Sequence, residues 1–163
     1  MGNSAAMEHL DNSTDFVAVE SSLTRALTAW AVSSVLVGGV LMLAARSGKH
    51  AQAYAFGRQT FAWGAINAAI AGAGVLSRRR RGELSVEQQR EKAQALRRLL
   101  LANAAADVAY VAVGLVVASR GRDGRRTARL RAGDGAAIAV QGAFLLALDA
   151  SQAVRLPAPA SGM

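Results

Sequence analysis

Hydrophobic positions along this chain gather into long unbroken blocks, and charged positions fall between the blocks. Four stretches of roughly 20 residues are nearly free of charge, at about 26–45, 59–77, 99–119 and 135–154. A helix rising about 1.5 Å per residue needs that length to cross a ~30 Å hydrocarbon core. The first two stretches hold no charged residue, and the third and fourth hold one aspartate each, Asp107 and Asp149. A soluble bundle would repeat polar residues every three or four positions along an outer face. No stretch does so, and Ala29 to Ala44 (AWAVSSVLVGGVLMLA) is apolar or small all round apart from two serines. The pattern predicts an all-α fold, an integral membrane four-helix bundle.

Between the blocks, the pattern assigns residues 1–20, polar and mildly acidic, to a mobile tail, residues 21–155 to the four-helix transmembrane domain, and 156–163, with Pro157 and Pro159, to a disordered tail. Ser21 or Ser22 is the expected cap of the first helix. Ser85-Val86-Glu87-Gln88 matches a capping box, in which serine and glutamine satisfy the first free amides of a helix. With no Gly or Pro between Ser85 and Gly114, the charged segment 85–98 can run straight into the third span as a stalk. Asp123-Gly124 signals a turn, and Gly133-Asp134-Gly135 is the expected start of the fourth helix. Gly38-Gly39 in span one and the Gly64, Ala68, Gly72 track in span two are small-residue features that permit close helix contact.

Composition changes this picture little: 52% of the residues are hydrophobic and 18% charged. The net charge of +8 would suit nucleic acid, but most bases abut the spans, where they anchor helix ends and attract anionic headgroups. The expected partners are therefore the lipid bilayer and its anionic headgroups, with a second copy or another membrane protein, and no nucleic acid. The residues before span one are acidic where a signal peptide is basic, so the first span is expected to stay uncleaved. Lysines and arginines number ten on the side of both termini and the middle loop, against nine on the other. The run Arg78-Arg79-Arg80-Arg81 tips the near-tie toward cytoplasmic termini, although the base-poor acidic segment before span one argues the reverse.

The informative residues are the polar ones inside the spans. Asn103, Asp107, Tyr110 and Gly114 are spaced four, three and four, on one face of span three. Asn67 lies mid-span in the second block; Gln141, Asp149 and Gln152 share one side of the fourth. Counted from the middle-loop side, Asp107 and Asn67 lie roughly 12–15 Å deep and Asn103 and Asp149 roughly 6–8 Å deep. Matching depths predict a cluster of Asn67, Asn103, Asp107 and Asp149, with Ser33 or Ser34 at similar depth and Gln141 in the other half, nearer Trp63 and Tyr110. An ionised aspartate there costs at least ~2.5–3.5 kcal/mol unless paired, hydrated or protonated. Asp107, Asp149, Asn67, Asn103 and Gln141 are thus either the hydrogen-bonded glue of the bundle or a proton or cation site. Trp30 and Trp63 read as anchors or packing residues. His9 and His50 stand alone, cysteine is absent, and no nucleophile triad, phosphate loop or metal-ligand spacing occurs. Catalysis, cofactor and metal are accordingly not expected.

Phe61-Ala62-Trp63-Gly64-Ala65-Ile66-Asn67, Asn103 with Asp107 and Tyr110, and Gln141-Gly142-Ala143-Phe144-Leu145-Leu146-Ala147-Leu148-Asp149 resemble a family of small bacterial four-span membrane proteins of unknown function. The resemblance runs over about residues 26–154 and implies a bacterial inner-membrane location and no particular activity. The combined expectation is a non-enzymatic scaffold or subunit of a membrane assembly, with a small proton- or cation-linked transporter or channel as the alternative.

Overall fold

Where backbone can hydrogen-bond only to itself, the helix is the economical solution, and the computed structural model is helical almost throughout. It describes residues 3–121 and 124–158, with side chains from Phe16 onward. Four helices follow in order: α1 (Asn3–Ala44), α2 (Ala51–Arg80), α3 (Val86–Ser119) and α4 (Arg126–Ala153). Each is long and apolar enough to cross a membrane, the relevant segment of α1 being Phe16–Ala44. Even the 28 residues of α4 reach about 42 Å. Every helix therefore begins well before its charge-free block, and α2 also runs past the end of its own, because backbone hydrogen bonding continues where side chains turn polar.

Local signals account for several ends. Ser85 caps α3: its hydroxyl accepts from the Gln88 amide at 3.3 Å, and the Gln88 side chain accepts from the Ser85 amide at 3.0 Å. Gly48 (φ 78°) and Gly124 (φ 71°) take left-handed backbone conformations in the α1–α2 and α3–α4 connections. The fourth helix starts at Arg126 and not at the Gly133-Asp134-Gly135 segment. Asp134 instead lies within the helix and binds Arg58 Nη2 through both carboxylate oxygens at 2.9 Å.

Two expectations about the chain ends are corrected. The segment expected to be a mobile tail is helical from Asn3, and Ser21 is an interior helix residue donating to the Ala18 carbonyl. No glycine or proline breaks residues 3–20, and the segment has a docking partner: Phe16 and Val19, one turn apart, are buried in a cluster with Ala93, Leu100, Ala153 and Leu156. Glu20 reinforces it through paired 3.1 Å contacts to Arg81. The same cluster corrects the C-terminal expectation, since Leu156 is buried, while residues 159–163 lie outside the described part. Ala93 and Leu100 also tie the start of α3 to α1, so the charged segment is a packed helix and no free-standing stalk.

Glycine sets the helix spacing. A Cβ at Gly38 would lie 2.6 Å from the Gly57 carbonyl oxygen, and one at Gly114 would lie 2.7 Å from that of Gly135. α1 thus closes onto α2, and α3 onto α4, backbone to backbone, while Gly133 brings α4 against the start of α2 at Gln52 and Ala55. The interior is built largely of alanine, glycine and polar side chains. Large aliphatic residues point out instead: Leu36, Val40 and Leu43 are 63–67% exposed, and Ile66, Ile70, Val108 and Leu115 continue the apolar surface around the bundle. That inside-out distribution is the reverse of a water-soluble core.

Candidate functional site

The buried polar side chains come from all four helices, and two groups among them stand out. In the first, α1 and α4 meet. Trp30 Nε1 donates to Gln141 Oε1 at 2.7 Å, and Gln141 Nε2 donates to Ser34 Oγ at 3.3 Å. The Trp30 ring stacks on Phe144 with centroids 4.0 Å apart and planes 6° from parallel. Trp30 and Ser34 are four residues apart, and Gln141 and Phe144 three, so one face of each helix carries both contacts. Gln141, 1% exposed, has both ends of its amide engaged, which removes the cost of burying it.

The second group centres on the aspartates. Asp107 of α3 and Asp149 of α4 are both buried, and Asp149 lies near enough to Asp107 for their charges to interact, with the Asn103 amide beside it. Asn67 of α2 is buried as well, 1% exposed. Two atoms here stand out: Asn67 Nδ2 and Asp107 Oδ2 are buried without a hydrogen-bond partner. A buried polar group in that condition forgoes about 1–3 kcal/mol relative to one that is paired, more if charged. Water would satisfy either atom, whereas a proton or a small cation would satisfy the Asp107 oxygen alone. Among the described residues, the ion pairs are Arg58–Asp134 and Glu20–Arg81, toward opposite ends of the bundle, and neither involves these aspartates. No three His, Cys, Asp or Glu side chains converge among the described residues.

The arrangement differs from the depth count in two respects. Ser34 is level with Gln141 and bonds it instead of joining the aspartates, and Ser33 is exposed. Next to Gln141, a Cβ at Gly142 would lie 3.0 Å from Tyr110 Cβ, and the Tyr110 ring packs edge to face on Trp63 with centroids 5.6 Å apart. On α3, Asp107 and Gly114 are buried but Asn103 and Tyr110 are exposed, because α3 is covered chiefly by α4 and its face is closed on one flank. Sequence reasoning set Ser33 or Ser34 at the depth of the aspartates and read Trp30 as an anchor or packing residue, and missed their shared bond to Gln141; the signal was the Trp-x3-Ser spacing facing Gln-x2-Phe.

Neither a curated protein nor a solved structure matches the chain. A family of unknown function, DUF6992, matches residues 26–150, from α1 at the level of Leu27 through Asp149, and so takes in both polar groups; the chain belongs to the DUF6992 family.

Proposed function

We propose that this protein is a non-enzymatic multi-pass protein of the bacterial inner membrane, with both termini cytoplasmic, acting as a scaffold or subunit of a membrane assembly and associating with copies of itself. The observation that carries this reading is the unused part of the small-residue track on α2. Gly64 is spent inside the chain, where a Cβ would lie 2.8 Å from the Val35 amide nitrogen of α1. Ala68 and Gly72 are exposed, and a Cβ at Gly72 would meet nothing within 4 Å. They line a groove of about 400 Å³ with Thr28, Ala31 and Val32 of α1. A glycine facing lipid contributes no side-chain packing and weakens its helix by about 1 kcal/mol, whereas under a neighbouring helix it permits close backbone approach. Gly72→Leu fits the monomer, so its effect isolates association. We expect dimer formation in lipid nanodiscs, read by single-molecule photobleaching, to weaken about tenfold, as loss of ~1–2 kcal/mol of helix packing would give. An unchanged dimer fraction contradicts self-association through this face.

A second reading has its own observation. The unpartnered Asp107 Oδ2, near the Asp149 carboxyl, supports a proton or cation site, and with it a small transporter or channel. Asp107→Asn keeps the size and most hydrogen bonding of the side chain but cannot titrate. If the parent carries a pH-dependent flux in proteoliposomes and the variant loses it while remaining folded, transport replaces the scaffold reading. A parent without flux removes the transport reading.

A further inference from the structure

At the end of the bundle that carries the termini, a cavity of about 310 Å³ opens between α1, α2 and α3. Its walls are apolar, from Leu23 and Leu27 of α1, Ile70 and Gly74 of α2 and Leu96 of α3, and its rim is cationic, from Arg81 and Lys92. We propose that this cavity binds an anionic phospholipid, with the phosphate between Arg81 and Lys92 and the first part of an acyl chain along Leu27 and Ile70. The inference is separate from the association face, which lies on the groove lined by Gly72.

Charge complementarity identifies the occupant. Glu20 also lines the cavity, but it is committed to Arg81 through Nη1 and Nη2, which leaves the other donors of that five-donor guanidinium open. The pair in turn fixes Arg81, whose guanidinium carbon stands 5.9 Å from the Phe16 ring centroid. Lys92 has no carboxylate partner among the described residues, so the rim keeps a net positive charge. The surrounding segment 78–98 adds six further bases, Arg78, Arg79, Arg80, Arg90, Arg97 and Arg98, against Glu83, Glu87 and Glu91. An apolar wall ending in cations at the edge of a span is the profile of a lipid whose chain meets its phosphate at the headgroup boundary. The volume stands at the small end of the roughly 300–1,000 Å³ of ligand pockets, which suits a headgroup and part of one chain.

The test uses the full chain in detergent micelles, titrated with dioleoylphosphatidylglycerol or dioleoylphosphatidylcholine and read by native mass spectrometry. We expect phosphatidylglycerol to bind about thirtyfold more tightly, a preference of the size two headgroup-level cations confer. Lys92→Gln, at an exposed position, should reduce its affinity about fivefold, the effect of one such cation, while Arg46→Gln at the opposite end leaves it unchanged. Gly74→Leu, where a Cβ has only Thr24 Oγ1 at 3.9 Å, should fill the cavity and abolish the preference without altering thermal stability in phosphatidylcholine. Equal binding of the two lipids, an equal loss in Arg46→Gln, or full binding by Gly74→Leu overturns the proposal. Displacement of the lipid by equimolar inorganic phosphate overturns it too, since the site would then recognise phosphate alone.

Discussion

A buried amide with both ends bonded and a buried carboxyl with an open oxygen do different things for a fold. Gln141 joins Trp30 and Ser34 of α1 to α4, beside the stack of Trp30 on Phe144. Gln141→Leu would leave Trp30 Nε1 and Ser34 Oγ without their partner, so we expect a loss of about 1–3 kcal/mol in reversible unfolding from mixed micelles. Gln141→Glu, which retains an acceptor for Trp30, should recover part of that loss if protonated; recovery equal to zero at acid pH would show that stacking on Phe144, and no hydrogen bond, holds Trp30. Much of the burial was legible at this scale, although Asn103 and Tyr110, expected on an inward face, are exposed. Asn67, Asp107, Asp149 and Gln141 all stand out as polar residues in apolar runs, and all are inside. Which residue bonds which was not, because depth along a helix says nothing about rotation around it. Ser34 sits at the right height for several partners, and its rotation toward Gln141 decides among them.

At the scale of the helix, small residues have opposite consequences according to what faces them. Gly38 and Gly57 oppose each other, as do Gly114 and Gly135, while Gly72 opposes nothing within the chain. Gly114→Leu should therefore cost about 1–3 kcal/mol by forcing α3 from α4, whereas Gly72→Leu should leave the unfolding midpoint of the monomer unchanged. Equal stability of the two variants would mean that α3 and α4 do not close as tightly as their backbone contacts indicate. The number of helices and the cap at Ser85 were readable from block length and from the Ser-x2-Gln spacing. The ends were less so. Residues 3–20 are helical because Phe16 and Val19 find Ala93, Leu100 and Leu156, residues more than 70 positions away in sequence, and no local pattern announces such a contact. Asp134 looked like a cap for the same reason: its partner Arg58 lies on another helix.

For the whole molecule, the distribution of side chains matters more than any one of them. Leucine, isoleucine and valine cover the outside, alanine and glycine fill the inside, and the ion pairs Glu20–Arg81 and Arg58–Asp134 lie toward the two ends. Charge blocks and apolar blocks in the sequence contain that layout directly, since a lipid solvent requires about 20 apolar residues per crossing. Orientation is not contained in it, because ten bases face nine across the two sides. The interior polar groups and the outward glycine track belong to this scale as well: the first leaves Asp107 Oδ2 and Asn67 Nδ2 without partners, and the second leaves Gly72 without a neighbour.

The central claim is that the four helices cross a membrane, and the chain's lack of cysteine makes it directly measurable. Single cysteines at the exposed positions Ser47, Gly82, Arg125 and Ala158, and at outward-facing Leu36, can be reacted with a membrane-impermeant maleimide in right-side-out and in inverted vesicles. We expect Ser47 and Arg125 to label together in one vesicle orientation, Gly82 and Ala158 together in the other, with the latter pair on the cytoplasmic face and Leu36 unreactive in both. Labelling of Leu36, or of Ser47 and Gly82 from the same side, would contradict a four-span membrane protein.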